Sequence, residues 1–202
     1  MSRIGIMGGT FNPIHQGHIM LAQKSHEQFQ LDKILVIPNK LPTYKDTDEL
    51  LDSDYRSKMV QLAIRDFPYM EFSDMELRRT GATYTVDTLE TLKKSCPEDE
   101  FFFILGGDSL VHLHEWRSYQ KILTLSAILC AKREDADLPD LYAARESLLV
   151  QVPEARIYFL ETPMVNISST EIREHLYSDC SIAQWLPNTV YDFIIQNHLY
   201  IS

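Results

Sequence analysis

The sequence predicts one α/β domain over residues 1–202, with a Rossmann-like three-layer architecture and a mainly parallel central sheet. Three observations predict it. Short apolar runs with the length of buried strands alternate with longer segments in which apolar residues recur at helical spacing. A glycine-rich segment, residues 8–18, lies between the first run and the first helical segment. No internal repeat or Gly/Ser linker divides the chain. Strands that alternate with helices favour a parallel sheet between two helical layers.

The predicted strands are short apolar runs. Residues 4–7 form the first strand, which we expect at the centre of the sheet. Residues 33–38 form the second, and Pro38 ends it. Residues 101–105 give the strongest strand, because five apolar residues lead directly into Gly106. The remaining predicted strands are 70–72, 126–131 and 156–160.

The predicted helices are segments whose apolar residues line one face. The first follows residue 18, with Ile19, Ala22 and Phe29 inward. The other predicted helices contain Tyr55, Met59, Leu62 and Ala63; residues 85–94 with Val86, Leu89 and Leu92; residues 141–149; a segment that starts at Ser168; and a final segment after Pro187 with Val190, Ile194 and Ile195. The connections are predicted to be loops, at 39–54, at 73–83, around Trp116 and at 134–140.

The glycine-rich segment predicts an anion site. At a turn from a strand into a helix, backbone N–H groups point outward and the helix dipole favours negative charge. Gly8 and Gly9 are expected to let a phosphate approach the main chain, and Thr10 adds a hydroxyl donor. His15 and His18 place two imidazoles where charge builds up on phosphate oxygens. A metal pair is disfavoured because no Cys, Asp or Glu lies nearby at ligand spacing.

Two further turns are predicted at the same sheet edge. Gly106-Gly107-Asp108 follows a strand, so Asp108 either contacts a ligand or caps the next helix. Ser168 and Glu171 form a capping-box pattern, and Ser169 and Arg173 beside them make an anion cradle. Because open parallel sheets bind ligands at their carboxyl edge, three such termini predict a polyphosphate ligand.

Composition limits the classes of partner that we expect for this protein. The net charge of −10 argues against a nucleic-acid backbone as the main partner, although a small phosphate ligand is compatible with it. The three cysteines are far apart, which indicates neither a disulfide framework nor a zinc cluster. The longest apolar stretch, residues 122–131, is too short to cross a bilayer, and no targeting segment is visible. We therefore expect a cytoplasmic protein without a membrane partner.

Five motifs together carry a family resemblance. Two of them, Gly8-Gly9-Thr10-Phe11 with His15-x-Gly17-His18 and Ile167-Ser168-Ser169-Thr170-x-Ile172-Arg173, resemble the nucleotidyltransferase superfamily that has the H-x-G-H signature. The segment 83–88, the pair Asp108 and Trp116, and Pro38-Asn39 with Lys45 resemble one branch of it, the bacterial nicotinate-nucleotide adenylyltransferases. The departures from that family pattern are Asn12 for Asp, Ile14 for Pro, Thr43-Tyr44 for Pro-His, and Thr83 for Ser.

The resemblance implies an adenylyltransferase that joins ATP and nicotinate mononucleotide in NAD biosynthesis, releasing pyrophosphate. It implies that Mg²⁺ is brought with ATP, without a metal site of the protein's own. The implied catalytic residues are His15, His18, Lys45 and Arg173. The implied ATP-binding residues are Gly8, Gly9, Thr10, Phe11, Gly106, Asp108, Ser168 and Ser169. The implied residues for the second substrate are Asn39, Lys45, Tyr84, Thr85, Asp108, Trp116 and Arg133.

Within that assignment, the resemblance places the pyridine ring on Trp116 and its carboxylate on main-chain N–H groups around Tyr84 and Thr85. From the residues alone, a loop tryptophan more often plugs the edge of the core than stacks on the flat ring of a ligand. The rival readings are another small nucleotidyltransferase, such as the pantetheine-phosphate enzyme, and a nucleotide-sensing protein on the same fold. Whether the chain forms a homo-oligomer and how strictly it prefers nicotinate over nicotinamide mononucleotide stay open.

Overall fold

The computed structural model describes residues 1–40, 50–131, 138–162, 167–178 and 180–201. Its strands are β1 (Arg3–Gly9), β2 (Lys33–Pro38), β3 (Met70–Phe72), β4 (Glu100–Leu105), β5 (Ala127–Ala131) and β6 (Ile157–Leu160). Its helices are α1 (Gln16–Phe29), α2 (Ser53–Ile64), α3 (Thr85–Ser95), α4 (Gly107–Val111), α5 (Tyr119–Leu125), α6 (Leu138–Gln151), α7 (Ser169–His175) and α8 (Asn188–Gln196), with 3₁₀ helices at Leu113–Glu115 and Cys180–Trp185. No helix in these ranges is long and apolar enough to span a membrane.

The strands form a six-stranded sheet in the order β3-β2-β1-β4-β5-β6. Each neighbouring pair is parallel. The predicted α/β fold class is confirmed, and β1 lies inside the sheet between β2 and β4, as predicted. All carboxyl ends of the strands therefore meet at one edge, which is where the predicted ligand turns begin.

The side chains of β4 show why the sheet has a helical layer on each face. Phe102 and Ile104 belong to a hydrophobic cluster with apolar residues of α1, α2 and α8. Phe101, Phe103 and Leu105 belong to a second cluster with residues of α3, α5 and α6. Because successive side chains of a strand point to opposite faces, this alternation places the two clusters on opposite sides of the sheet and gives the three-layer architecture.

Trp116 lies in a short loop, as predicted, but the sequence did not predict the helix α4 and the 3₁₀ turn before this loop or the helix α5 after it. Helix α4 has only five residues, which is too short to show helical periodicity in the sequence. Helix α5 ends directly before β5, so the two read as one apolar run. The predicted strand start at Ser126 is also one residue early, since its hydroxyl donates to the carbonyl of Ile122 at 3.0 Å and so ends the helix.

The inward face of α2 contains Met59 and Ala63, as predicted, but not Tyr55. Tyr55 is 41% exposed, whereas Arg56 is only 1% exposed and shares the buried face with Met59, Val60 and Ala63. These four buried positions follow the i, i+3, i+4, i+7 spacing of a helix face. A buried arginine on an otherwise apolar face is unusual, and its contacts lie at the candidate site.

Candidate active site

A cavity of about 1400 Å³ opens at the carboxyl edge of the sheet. It brings together all of the predicted site residues that the structure describes. These are Gly8, Gly9, Thr10, Phe11, His15, His18, Asn39, Tyr84, Thr85, Gly106, Asp108, Trp116, Ser168, Ser169 and Arg173. Two other predicted site residues, Lys45 and Arg133, lie outside the described residues, as do Thr43 and Tyr44.

Gly8 and Gly9 lie at the end of β1 rather than in the turn that the sequence predicts. Gly8 is paired with Ile37 and Gly9 with Pro38 in the parallel ladder. The turn follows them, and Phe11 there has a left-handed backbone with φ of 50°. A Cβ on Gly9 would lie 2.9 Å from the Phe11 ring. Gly9 is therefore required for the packing of Phe11, a reason that the sequence does not reveal.

The two imidazoles of the turn lie against each other. Their ring centroids are 3.8 Å apart, and the edge of Phe11 contacts His18 at 5.1 Å between centroids. The backbone N–H of His15 donates to Nδ1 of His18 at 3.2 Å. Because Nδ1 accepts this bond, the proton of the neutral His18 imidazole resides on Nε2. His18 thus lines the cavity with Nε2 as its donor nitrogen.

Thr10 and Asn39 connect the ends of β1 and β2. The Asn39 amide donates to the Thr10 hydroxyl oxygen at 3.3 Å, and the Asn39 backbone N–H donates to the Gly9 carbonyl at 2.9 Å. The Thr10 hydroxyl accepts in this pair, so its own proton remains available for a ligand oxygen. Oδ1 of Asn39 is buried and has no hydrogen-bond partner among the described residues, which leaves one acceptor for a ligand donor.

Arg56, which the sequence analysis missed, lies behind this pair. Its guanidinium donates to four main-chain carbonyls at 2.8–3.0 Å. Those carbonyls belong to Thr10, Asn39, Lys40 and Leu51. Burial lowers the pKa of Arg56, and the nearby Tyr200 and Asp52 oppose this shift. The only signal in the sequence is an arginine at a helix-face position, which does not reveal its four partners.

The start of α7 is fastened to the histidine turn. The Ser169 hydroxyl donates to the Pro13 carbonyl at 2.9 Å, and Nη1 of Arg173 donates to the Asn12 carbonyl at 3.0 Å. Oδ1 of Asn12 accepts hydrogen bonds from the Leu51 N–H and the Tyr200 hydroxyl. Asn12, one of the departures from the family pattern, thus accepts two hydrogen bonds through its amide oxygen. The predicted convergence of the imidazoles and the serine-rich helix start is confirmed.

The predicted capping box at the start of α7 is present. The Glu171 N–H donates to Ser168 Oγ at 3.2 Å, and the Ser168 N–H and hydroxyl both donate to Glu171 Oε2 at 2.8 Å. The Ser168 hydroxyl proton is therefore used by the cap, and that of Ser169 is used by a main-chain carbonyl. In this arrangement, neither serine hydroxyl has a proton left for a ligand, whereas Ser169 and Thr170 still line the cavity at the helix start.

Asp108 lies in the first turn of α4 and does not cap it, because the N-cap is Gly106. Of the two alternatives that the sequence left open, the capping role is thus excluded. Asp108 lines the cavity, and its carboxylate favours the positive end of the helix dipole.

Tyr84 and Trp116 line a part of the cavity that we call the aromatic end. Trp116 is half-buried and packs edge-on against Phe103, with 6.1 Å between ring centroids. The guanidinium carbon of Arg117 lies 4.6 Å from the centroid of the Tyr84 ring. This contact holds the Trp116 segment beside Tyr84, the N-cap of α3. Trp116 consequently contributes both to the core edge and to the wall of the cavity.

The sequence analysis also missed a hydrogen-bonded group formed by Glu76, Arg79 and Thr88. The Thr88 hydroxyl donates to Glu76 Oε1 at 2.6 Å and accepts from Nη1 of Arg79 at 2.9 Å. Arg79 also donates to the Asp87 carbonyl at 3.1 Å. These bonds fix the first turn of α3 and place a positive charge near the buried Glu76. Among the described residues, no group of three or more His, Cys, Asp or Glu could hold a metal ion.

Known proteins with similar sequences show which family the chain belongs to. The cytidylyltransferase-like family model matches residues 6–175. A probable nicotinate-nucleotide adenylyltransferase of Lachnoclostridium phytofermentans is 41% identical over 201 residues, and the alignment covers 100% of both chains. A probable nicotinate-nucleotide adenylyltransferase of Dictyoglomus thermophilum is 37% identical, covering 98% of this chain and 100% of the relative. The chain belongs to the nicotinate-nucleotide adenylyltransferase family.

Solved structures agree with membership of the nicotinate-nucleotide adenylyltransferase family. A Plasmodium falciparum nicotinic acid mononucleotide adenylyltransferase complexed with NaAD has a TM-score of 0.81 and 25% identity, and the match covers 99% of this chain and 98% of that one. The same enzyme complexed with APC gives a TM-score of 0.80 at equal identity. The resemblance predicted from the sequence motifs is confirmed.

Proposed function

We propose that the protein transfers the adenylyl group of ATP to nicotinate mononucleotide, giving nicotinate adenine dinucleotide and pyrophosphate in NAD biosynthesis. The observation that carries the proposal is that the histidine turn, the α7 start and the aromatic residues Tyr84 and Trp116 all line one cavity. Family membership supports the same reaction. A cytoplasmic location, which the dispersed cysteines favour, is part of the proposal.

In this reaction a phosphate oxygen of the mononucleotide attacks the α-phosphorus of ATP. The new O–P bond forms as the bond from the α-phosphorus to the bridging oxygen breaks, and pyrophosphate leaves with the bonding electron pair. The nucleophile is already an anion, so no general base is needed. Catalysis then consists of positioning and of stabilising negative charge.

The histidine turn supplies that stabilisation. Nε2–H of His18 and the hydroxyl of Thr10 would donate to oxygens of the α-phosphate, and both groups are already held by hydrogen bonds to His15 and Asn39. Donors fixed before the reaction do not need to reorganise as charge develops. His15 would support the triphosphate from the same turn.

The β- and γ-phosphates would lie at the α7 start, against its backbone N–H groups and Arg173. Gly106 and Asp108 would line the nucleoside side of the site. Mg²⁺ would be carried by the triphosphate oxygens and water, where it neutralises charge on the leaving pyrophosphate. Lys45 remains a candidate for the same neutralisation by resemblance alone.

The mononucleotide would occupy the aromatic end. Trp116 would stack on the pyridine ring, and the main-chain N–H groups at Tyr84 and Thr85 would donate to its carboxylate. Oδ1 of Asn39, the buried acceptor, suits a ribose hydroxyl. Asp108 is a second candidate for a ribose hydroxyl, and Arg133 stays a candidate by resemblance.

The decisive experiment mixes the protein with ATP, Mg²⁺ and one acceptor at a time, and measures pyrophosphate release with identification of the product by mass. Nicotinate mononucleotide should give rapid release and the dinucleotide. Pantetheine phosphate serves as the control for the rival transferase. Binding of ATP without pyrophosphate release from any acceptor would instead indicate a nucleotide-sensing protein.

A further inference from the structure

The segment that follows α8 folds back against the histidine turn. The Tyr200 hydroxyl donates to Oδ1 of Asn12 at 2.9 Å, although the two residues are 188 positions apart in the sequence. Asn12 is 6% exposed and lines the cavity, whereas Tyr200 does not line it. Tyr200 therefore contacts the site from behind, through the side chain of Asn12.

Asn12 connects this tyrosine to groups that line the cavity. Its Oδ1 also accepts from the Leu51 N–H at 3.3 Å. Its main-chain carbonyl accepts from Nη1 of Arg173 at 3.0 Å, and the next carbonyl, that of Pro13, accepts from the Ser169 hydroxyl at 2.9 Å. A bond that fixes the Asn12 side chain thus also restricts the carbonyl that holds Arg173.

The backbone after α8 has an uncommon conformation. His198 and Tyr200 have φ of 51° and 62°, in the left-handed region that residues other than glycine rarely adopt. Leu199 between them is 6% exposed, and its carbonyl accepts from the Tyr177 hydroxyl at 2.8 Å. Such conformations persist where the surrounding contacts determine them, and they are frequent near functional sites. Here the contacts direct the Tyr200 side chain to the histidine turn.

The Tyr200 hydroxyl stays protonated at neutral pH. Burial raises the pKa of Tyr200, and the nearby charges of Arg173 and Arg56 only partly oppose this shift. The amide oxygen of Asn12 is a matching acceptor, because it carries no proton. The same two arginines donate to the carbonyls of Asn12 and Thr10. The bond from Tyr200 to Asn12 is therefore part of the hydrogen-bonded support of the turn.

We propose that Tyr200 is a positioning residue for adenylyl transfer, which acts through Asn12 on the histidine turn and on Arg173. Without the hydroxyl, Oδ1 of Asn12 loses one of its two donors, and the carbonyl that holds Arg173 is less restrained. The groups that face the phosphates then lose part of their preorganisation, which weakens ATP binding and the stabilisation of developing charge. This inference rests on the proposed function, because it assigns the histidine turn and Arg173 to the phosphates of ATP.

The first test is Tyr200→Phe, which keeps the packed ring and removes the hydroxyl. The value of kcat/KM for ATP should fall about three- to tenfold, the scale of one hydrogen bond. Calorimetric affinity for ATP should fall about threefold. Affinity for nicotinate mononucleotide, measured without ATP, should be unchanged. The matched control is Tyr142→Phe, because Tyr142 is 44% exposed on α6 and does not line the cavity. It should keep the wild-type values.

A double-mutant cycle with Asn12 separates positioning from packing. Asn12→Ala removes the acceptor, so adding Tyr200→Phe should cause no further loss of kcat/KM for ATP. Asn12→Asp keeps an oxygen acceptor and charges it. In that background Tyr200→Phe should cost at least as much as in the wild type, because a charged acceptor strengthens the hydrogen bond. A tyrosine that only packs would give the same loss in every background.

Unchanged kcat/KM and unchanged ATP affinity in Tyr200→Phe would overturn the proposal, as would equal losses in the three backgrounds. If thermal unfolding shows that Asn12→Ala does not fold, the Asn12→Asp background decides, and a smaller loss there than in the wild type contradicts the proposal. Wild-type pyrophosphate release tests the proposed function separately. In a protein without turnover, a loss of ATP affinity in Tyr200→Phe that spares the mononucleotide still supports the positioning role, and equal ATP affinities contradict it.

Discussion

Nη1 of Arg56 donates a hydrogen bond of 2.8 Å to the main-chain carbonyl of Thr10, 46 positions away in the sequence. The same nitrogen donates to the Asn39 carbonyl. One buried cation thus fixes the residues that follow β1 and β2, whose side chains are also bonded to each other. The position of the Thr10 hydroxyl therefore depends on Arg56, which bonds to the main-chain carbonyl of Thr10 and not to its hydroxyl.

Arg56→Met should lower the free energy of unfolding by about 3 kcal/mol or more. Each buried acceptor that loses its donor costs roughly 1–3 kcal/mol, and Arg56 serves four carbonyls. Urea unfolding followed by circular dichroism measures the change. The control is Arg65→Met, because the Arg65 side chain is 57% exposed at the end of the same helix. Arg65→Met should stay within about 0.5 kcal/mol of the wild type. Equal stability of the two variants would contradict the role of Arg56.

His18→Ala should reduce kcat by a factor on the order of a hundred or more, which is the effect of removing one preorganised donor from a developing anion. His18→Gln, which offers an amide N–H in place of Nε2–H, should recover part of the loss. Steady-state pyrophosphate release measures both.

His26→Ala is the matched control for this prediction. His26 stacks on Tyr69 with 3.7 Å between ring centroids and does not line the cavity. Its removal should leave kcat unchanged. If His18→Ala kept the wild-type kcat, the donor role of its Nε2–H would be refuted.

Gly8→Ala and Gly9→Ala should fail in different ways. A Cβ on Gly9 lies 2.9 Å from the Phe11 ring, and Phe11 is 2% exposed, so overpacking should cost about 1–3 kcal/mol of stability. A Cβ on Gly8 lies 3.8 Å from Phe103, an ordinary contact, so stability should change little. Gly8→Ala should instead raise the KM for ATP, because the Cβ narrows the approach to the main chain. Thermal unfolding and ATP titration of the pair distinguish the two effects.

The architecture was predictable because periodicity along the chain directly reports buried faces. The strand β4 is an example, since five apolar residues followed by Gly106 predict both its burial and the ligand turn. The site residues were predictable where a motif places them on one turn, as with His15 and His18. Their convergence with Ser169 required only the rule that parallel strands end at one edge.

The remaining features depend on contacts between distant segments, which local patterns do not encode. The role of Arg56 arises from carbonyls on three separate segments, and any residue type supplies a carbonyl. The Thr83 hydroxyl has no hydrogen-bond partner among the residues that the structure describes, and local sequence likewise gives no sign of this. Short helices such as α4 were missed because five residues carry too little periodicity.

Cys130 should resist thiol reagents although it lies beside the site. Its side chain in β5 is 0% exposed, and burial, followed by the charge of Asp108, raises the pKa of the thiol to about 12. Reagents attack the thiolate. In a variant with Cys96→Ala and Cys180→Ala, the remaining thiol should therefore react with a chromogenic disulfide at pH 8 only as fast as the protein unfolds. Adding urea should unfold the protein and let the thiol react completely.

The raised pKa of Cys130 also means that the folded state holds the thiol proton more tightly than the unfolded chain does. This contribution to stability is complete below pH 9 and is lost as the pH rises toward about 12. The stability difference between the wild type and Cys130→Ala should accordingly shrink above pH 9, and rapid reaction of the native thiol at pH 8 would contradict both expectations.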